Sequence, residues 1–238
     1  MRVLDLFSGI GGFSLGLERA GMRTVAFCEI DEACRSVLKK HWPAVPIFND
    51  IKYLRKEDVE KIDIICGGFP CQDISTCGGQ AGIKGKRSGL WAEFKRIIAE
   101  VKPRYAIIEN VANLRSNGLS TILRDLWQIG YDAEWHIIPA CAVGAPHKRE
   151  RIWIIAYRDG LRMEGARAEL EAAGINKRLG SHWQTVKPGA LRVDDGATPQ
   201  IHRNRIQQIG NAVVPQIPEL IGRAIWRDYD RISFALCR

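Results

Sequence analysis

Apolar positions recur along the chain in two periods. Residues 3 to 7, VLDLF, form a short apolar run that ends in the glycine turn SGIGG, and FSLGLERAG then carries apolar residues at helical spacing up to Gly21, a C-cap. TVAFCEI is a second strand, DEACRSVLKKHW a helix opened by an Asp cap, PIFN a short run before Asp50, and IDIIC a further strand. Leu90, Phe94, Ile97, Ile98 and Val101 make one helical stripe, closed by Pro103. YAIIEN is strand-like. Leu119, Ile122, Leu123, Leu126 and Ile129 form another stripe, and WHIIPA and RIWIIAY are two closing strands.

Strands alternating with helices over residues 1–157 predict an α/β sheet covered on both faces, with ligands bound outside the carboxyl ends of its strands. SGIGG, Glu29, the loop GGFPC, and the pair Glu109 and Asn110 all fall at predicted strand ends. Residues scattered in sequence should therefore converge on one crevice. Over 158–205 the pattern dissolves into Gly, Arg, Glu and Ala without a clear strand, as expected of a small irregular lobe. Order returns over 206–238, where Ile217, Leu220, Ile221, Ala224 and Ile225 form an apolar face expected to pack back on the first domain. The apolar runs are far shorter than the ~20 residues of a membrane span, and MRVLDLFSGIGG lacks the regions of a signal peptide, so a soluble cytoplasmic protein is expected.

The 238 residues, 46% hydrophobic, suffice for one substantial core with a small appended lobe. Seven cysteines without a CxxC pair argue against a disulfide framework. Cys66 with Cys71 and His136 with Cys141 share one spacing, but they lack the tight paired elements of a zinc site, and no metal is expected. Cys28, Cys34, Cys66 and Cys141 read as inert buried thiols. Cys71 does not, because it follows a proline in the glycine-led loop GGFPCQDIS at the predicted crevice. A thiol attacks as the thiolate, and turn amides, nearby Arg or Lys, or a helix starting near Asp73 would favour that form.

Lys and Arg outnumber Asp and Glu by 35 to 27, a net charge of +8. Lys84, Lys86, Arg87, Lys95, Arg96, Lys102 and Arg104 form one basic group, and His147, Lys148, Arg149 and Arg151 another. Such patches favour phosphate, although Lys95, Arg96 and Lys102 also read as a solvated helix face. Gly9, Gly11 and Gly12 would let backbone approach a ligand closely. Glu29, 18 residues after Gly11, stands where an acid takes ribose hydroxyls in nucleotide folds, and with Asp50 the set suits an adenosine-containing cofactor.

Together these elements resemble the cytosine-5 DNA methyltransferases, which use S-adenosylmethionine. DLFSGIGGFSLGLERAG is similar to that family's cofactor loop, GGFPCQDIS to its Pro-Cys nucleophile loop, and IIENV to its Glu-Asn-Val element. HKRERIWIIA resembles its Gln-x-Arg-x-Arg stretch and QIGNAVVPQ its Gly-Asn-Ala-Val element. The elements run in order across residues 1 to 157 and 206 to 226. The resemblance implies a doubly wound, Rossmann-like methyltransferase sheet with helices on both faces: a catalytic and cofactor-binding domain over 1–157, a small target-recognition lobe over 158–205, and a C-terminal segment over 206–238.

It also implies roles. Phe7, Ser8, Gly9, Gly11, Gly12, Glu29, Ile30, Asp50, Ile51, Pro70, Leu90, Asn211 and Val213 would line the cofactor site. Cys71 would attack carbon 6 of a flipped-out cytosine, Glu109 would hold and help protonate ring nitrogen 3, and Arg149 and Arg151 would lie near the base and its phosphates. Gln72, Ser75, Lys84, Arg87, Trp183, Lys187, Arg192, Arg203 and Arg205 are the expected contacts to double-stranded DNA. A cognate restriction endonuclease is a candidate partner, and a monomer is the expected working unit. His147 departs from the family's Gln. The roughly fifty residues before the Gly-Asn element are far fewer than the usual recognition domain, lack its Arg-rich element, and resemble the compact ending of phage-type relatives. Two other readings stand beside DNA methylation: an RNA (tRNA) cytosine-5 methyltransferase, and a DNA-binding module that depends on a partner chain.

Overall fold

The computed structural model describes residues 1–70, 89–158 and 210–236, with side chains of the last segment through Tyr229. Among these, seven strands form one sheet: β1 (Arg2–Leu6), β2 (Arg23–Cys28), β3 (Ile47–Phe48), β4 (Ile64–Gly67), β5 (Tyr105–Val111), β6 (Tyr131–Pro139) and β7 (Glu150–Arg158). Their order is β3-β2-β1-β4-β5-β7-β6. The pairs from β3 to β5 are parallel, whereas β7 runs antiparallel between β5 and β6. Sequence explains the swap. RIWIIAY is apolar on both faces and suits an interior strand, while YDAEWHIIP sets Asp132, Glu134 and His136 along one face and takes the edge.

Alternate residues of each strand feed two cores. Leu4 and Leu6 of β1, Ile65 of β4, Ile108 of β5 and Ile154 of β7 pack in one cluster with Trp91, Phe94, Ile97 and Ile98 of α3 (Gly89–Val101) and with Ile122 and Leu126. Those last two belong to α5 (Leu119–Gln128), which follows the single turn α4 (Leu114–Asn117). Val3, Cys66, Ile107, Trp153 and Ile155 face the other way, toward Phe13 and Leu17 of α1 (Gly12–Arg19) and Ile217, Ile221 and Ile225 of α6 (Gln216–Leu236). α2 (Glu32–His41) opens on Asp31, whose side chain accepts from the Cys34 amide at 2.8 Å, the cap expected from sequence.

Two glycines bring the chain ends together. A Cβ on Gly16 would lie 2.2 Å from the Pro215 carbonyl oxygen, and one on Gly12 would lie 2.6 Å from that of Val213. α1 thus offers bare backbone against which residues 213–219 pack, which carries the segment before α6 to the carboxyl ends of the strands.

The solvated-face reading of Lys95 and Arg96 is corrected. Lys95 pairs with Asp125 at 3.1 Å, and Arg96 pairs with Glu93 at 2.8 Å and Glu100 at 2.9 Å while donating to the Ile51 carbonyl at 2.8 Å. Arg96 is a clamp on the loop after β3, because its planar fork can serve carboxylates and carbonyls together. No helix among the described residues is long and apolar enough to cross a membrane.

Candidate active site

Above the carboxyl ends of β1, β2, β4 and β5 lies a cavity of about 370 Å³. Its first wall is the turn after β1. Phe7 sits in the left-handed region at φ 53, stacked on Phe94 with ring centroids 6.0 Å apart, and the Ser8 hydroxyl donates to the Asp5 carbonyl at 2.6 Å. The Gly9 amide donates to Glu29 Oε2 at 2.7 Å, and Glu29 Oε1 accepts from the Asp31 amide at 2.8 Å. Glu29 is thereby fixed at the end of β2. Gly9, with φ 54 and nothing within 4 Å of where a Cβ would stand, leaves an open cradle beside that carboxylate. Ile30 at the wall is 70% exposed, a bare apolar surface for a flat ring. A carboxylate beside an apolar face suits a ligand that carries both hydroxyls and a flat ring.

The second wall carries the acid. Glu109 of β5 is 9% exposed, and its Oε1 lies 3.0 Å from Nε of Arg151. Burial pushes its pKa up; the Arg151 and Arg149 guanidiniums pull it back only in part, and the carboxyl stays above its ordinary range. Such a group holds and releases a proton more readily near neutrality than an exposed glutamate. A Cβ on Gly68 would stand 2.8 Å from Glu109 Oε2, so glycine is what lets the chain after β4 pass over the carboxyl. Asn110 Nδ2 donates to the Phe69 carbonyl at 3.1 Å, and its Oδ1 accepts from the Val111 amide at 2.8 Å. These bonds tie buried Phe69, and with it the exposed Pro70, to β5. Arg149, at φ 27, donates to the Gly210 carbonyl, and burial and Arg151 lower its pKa.

Of the residues expected from sequence, Phe7, Gly9, Glu29, Ile30, Pro70, Glu109, Arg149, Arg151 and Asn211 line this cavity. Ser8, Gly11 and Gly12 form the turn beneath it, and the close approach at Gly11 and Gly12 is made by the Trp42 ring and Val213, not left open for a ligand. Asp50 closes its own turn by accepting from the Lys52 amide at 3.0 Å. Ile51 is core, Leu90 packs half-buried against the core from the first turn of α3, and Val213 packs beside α1. Cys71, Gln72, Ser75, Lys84, Arg87, Trp183, Lys187, Arg192, Arg203 and Arg205 lie outside the described residues. Pro70 brings the chain to within one residue of Cys71.

Cys28, Cys34 and Cys66 are buried, and burial foremost pushes the Cys28 and Cys34 thiols up to about 12 and Cys66 well above its ordinary value. Cys141, expected to be buried, is instead half-buried in the 3-10 turn Ala140–Val143 after β6. Asn110 stands at the crevice beside Glu109, as its place at the strand end predicted, whereas Cys34, read from sequence as an inert buried thiol, had no expected part in this wall.

Comparison with known proteins agrees with this geometry. The family described as C-5 cytosine-specific DNA methylase matches residues 1–189. The type II methyltransferase M2.BsuMI of Bacillus subtilis is 37% identical over 164 residues, 66% of this chain and 42% of that protein. M.HhaI of Haemophilus parahaemolyticus is 34% identical over 168 residues, 69% of this chain and 51% of that protein. The chain thus spans about half the length of these curated relatives. The solved structure of the Entamoeba histolytica methyltransferase EhMeth shares the fold, at TM-score 0.70 over 96% of this chain and 98% of that one with 14% identity.

Proposed function

Because the chain belongs to the C-5 cytosine-specific DNA methylase family, we propose that it methylates carbon 5 of a cytosine flipped out of double-stranded DNA, using S-adenosylmethionine and a covalent bond to Cys71. The observation that carries this reading is Glu109, a buried acid with a raised pKa, paired with Arg151 and held beside the stretch that leads into Cys71.

Glu29 would take the ribose hydroxyls, with Ile30 and Phe7 against the adenine and Asn211 and Pro70 closing the rim; the cavity lies within the usual ~300–1,000 Å³ of small-molecule sites. Bound there, S-adenosylmethionine supplies an electrophilic methyl group. Cys71 Sγ forms a bond to carbon 6, and the displaced ring electrons are taken up at nitrogen 3, which receives the proton of Glu109. Carbon 5, now electron-rich, forms its bond to the methyl as the bond from that methyl to the sulfonium sulfur breaks, leaving S-adenosylhomocysteine. Loss of the carbon 5 proton to water then restores the 5,6 double bond and breaks the bond from Cys71 Sγ to carbon 6, and nitrogen 3 returns its proton to Glu109. Arg151 keeps the Glu109 carboxyl oriented toward the cavity, and Arg149 adds positive charge where a phosphate would enter. Extruding the base costs a few kcal/mol, which pocket contacts recover. Residues 158–205 serve as the recognition lobe in this reading, and a restriction endonuclease is the natural companion of the activity.

Bisulfite sequencing of co-expressed plasmid DNA tests the proposal. It should reveal 5-methylcytosine at a short motif, lost in Cys71→Ser, and a 5-fluorocytosine duplex should trap the protein covalently. Unmodified DNA together with tritiated methyl label in tRNA would overturn the choice of substrate.

A further inference from the structure

At the opposite pole of the sheet, roughly 20 Å from the crevice by the length of β5, lies a second cleft of about 350 Å³. It is built where β4 and β5 begin and β7 ends, with the end of α3 and the 3-10 turn Lys56–Asp58 as its sides. The backbone there is tied together. The Arg104 amide donates to the Asp63 carbonyl at 2.8 Å, and the Arg158 amide to the Arg104 carbonyl at 3.3 Å.

Five cations, Lys56, Lys61, Lys102, Arg104 and Arg158, line this cleft with two carboxylates, a formal surplus of three positive charges. Both carboxylates are already engaged by Arg2: Asp63 accepts from its amide at 2.8 Å, and Glu60 pairs with its guanidinium at 3.2 Å. Among the described residues, Arg96, Lys95, Lys148 and Arg151 are paired with carboxylates, whereas Lys39, Lys40 and Lys52, exposed on other faces, are not; what sets this cleft apart is that its cations converge. Here Lys56, Lys61, Lys102 and Arg158 have no carboxylate within 4 Å among the described residues. Arg104 is held over the Tyr229 ring, 5.0 Å from its centroid.

Lys102 adds a second, independent mark. It occupies the left-handed region at φ 53 directly after α3, where glycine is the unstrained choice, so the fold retains a lysine at a conformational cost. A cation there complements the negative end of α3, and Arg104 follows two residues on, yet Lys56, Lys61 and Arg158 are brought to the cleft by other segments. Val59, Ile62 and Val101 give the cleft an apolar floor. Unpaired cations converging in a concave site focus a positive field.

We propose that this cleft is an anion site, separate from the methyl-transfer crevice, that binds phosphate groups of a nucleotide or of a nucleic-acid strand. The site does not depend on the assignment of the crevice.

The test is calorimetric titration of the full chain with inorganic pyrophosphate and, separately, with a cytosine-free DNA duplex. It uses the wild-type protein and a Lys61→Gln/Lys102→Gly double variant. Glycine suits φ 53, so the variant should melt no lower than wild type. Saturable pyrophosphate binding, weakened at least about tenfold in the variant while affinity for S-adenosylhomocysteine holds, is the expected result. If the duplex loses affinity in parallel and its salt slope falls by about two, the phosphates come from a nucleic-acid strand; if only pyrophosphate responds, they come from a small molecule. No saturable pyrophosphate binding to wild type at millimolar concentration, or affinities for both probes within twofold in the variant, would overturn the proposal.

Discussion

Asp5 is the most exacting place to test how burial shapes this protein. It lies in the middle of β1 on the face covered by α1, fully buried, and its Oδ2 accepts from the Ser14 hydroxyl at 2.7 Å and the Ser14 amide at 3.3 Å. Oδ1 has no hydrogen-bond partner. Burial foremost, opposed by the Ser14 bonds and the neighbouring Cys66 thiol and reinforced by Glu29, pushes its pKa from 3.8 up to about 7. The folded protein therefore holds this proton more tightly than the unfolded chain. Its contribution to stability is complete below about pH 3.8, declines as pH rises, and levels off above about 7. Roughly three pH units at ~1.4 kcal/mol each give an upper bound of ~4 kcal/mol. Asp5→Asn removes the charge and keeps one oxygen for Ser14, but it buries an amide nitrogen where Oδ1 now has no partner, at a cost of ~1–3 kcal/mol. The variant should therefore exceed wild type by ~1–3 kcal/mol at pH 8 and fall below it by about pH 4, where wild type has lost only ~0.6 kcal/mol. Urea unfolding at several pH values measures both chains, and their difference cancels other titrating groups such as Glu109. A difference that does not change between pH 5 and 8 would refute the reasoning.

Three further perturbations reach the site and its supports. Gly16→Ala drives a methyl into the Pro215 carbonyl and should cost ~1–3 kcal/mol, read as a lowered melting temperature, whereas Gly89→Ala, with open space around it, should cost nothing measurable. Arg151→Met removes the cation 3.0 Å from Glu109, so the already raised pKa climbs further; the pH–rate profile of methyl transfer should move to higher pH, and an unmoved profile would show that Arg151 does not govern that proton. Asn110→Ala frees the Phe69 carbonyl and should lower the rate of adduct formation with 5-fluorocytosine DNA while leaving S-adenosylhomocysteine affinity within twofold, as titration calorimetry would show.

Local periodicity carried most of the fold. The strand and helix spans, the Asp31 cap and the apolar face of α6 all follow from short-range pattern, because each depends only on which side of one element is buried. Strand order does not. Whether β6 or β7 takes the edge is settled by their relative burial across the whole sheet, and only the polar residues of YDAEWHIIP hint at it. The crevice was legible where chemistry-bearing residues end a strand, as Glu29 and Glu109 do. It was not legible where contact is made across the fold, as with Val213 against Gly12, Arg96 against the Ile51 carbonyl, or Asn110 against Phe69. A glycine motif looks the same whether a ligand or another segment of chain fills the space.

The antiparallel course of β7 explains how cations reach an acid at the carboxyl end of a parallel strand. In β5 that end is Glu109–Val111, and the register sets Glu109 opposite Trp153 and Val111 opposite Arg151. Had β7 run parallel to β5, its first residues would stand at the opposite pole of the sheet, and Arg149 and Arg151 with them. The reversal brings the basic start of β7 to the crevice, where Arg151 reaches Glu109 and Arg149 reaches the carbonyl of Gly210. Trp153, opposite Glu109 in the register, is buried and packs edge-on to Phe13 of α1 at 5.4 Å. A buried acid beside two guanidiniums is costly to hold in water-free surroundings unless strand, register and packing fix all three. Here one inverted strand supplies both the charges and the apolar floor, and the glycines of α1 let the segment beginning at Gly210 close over them.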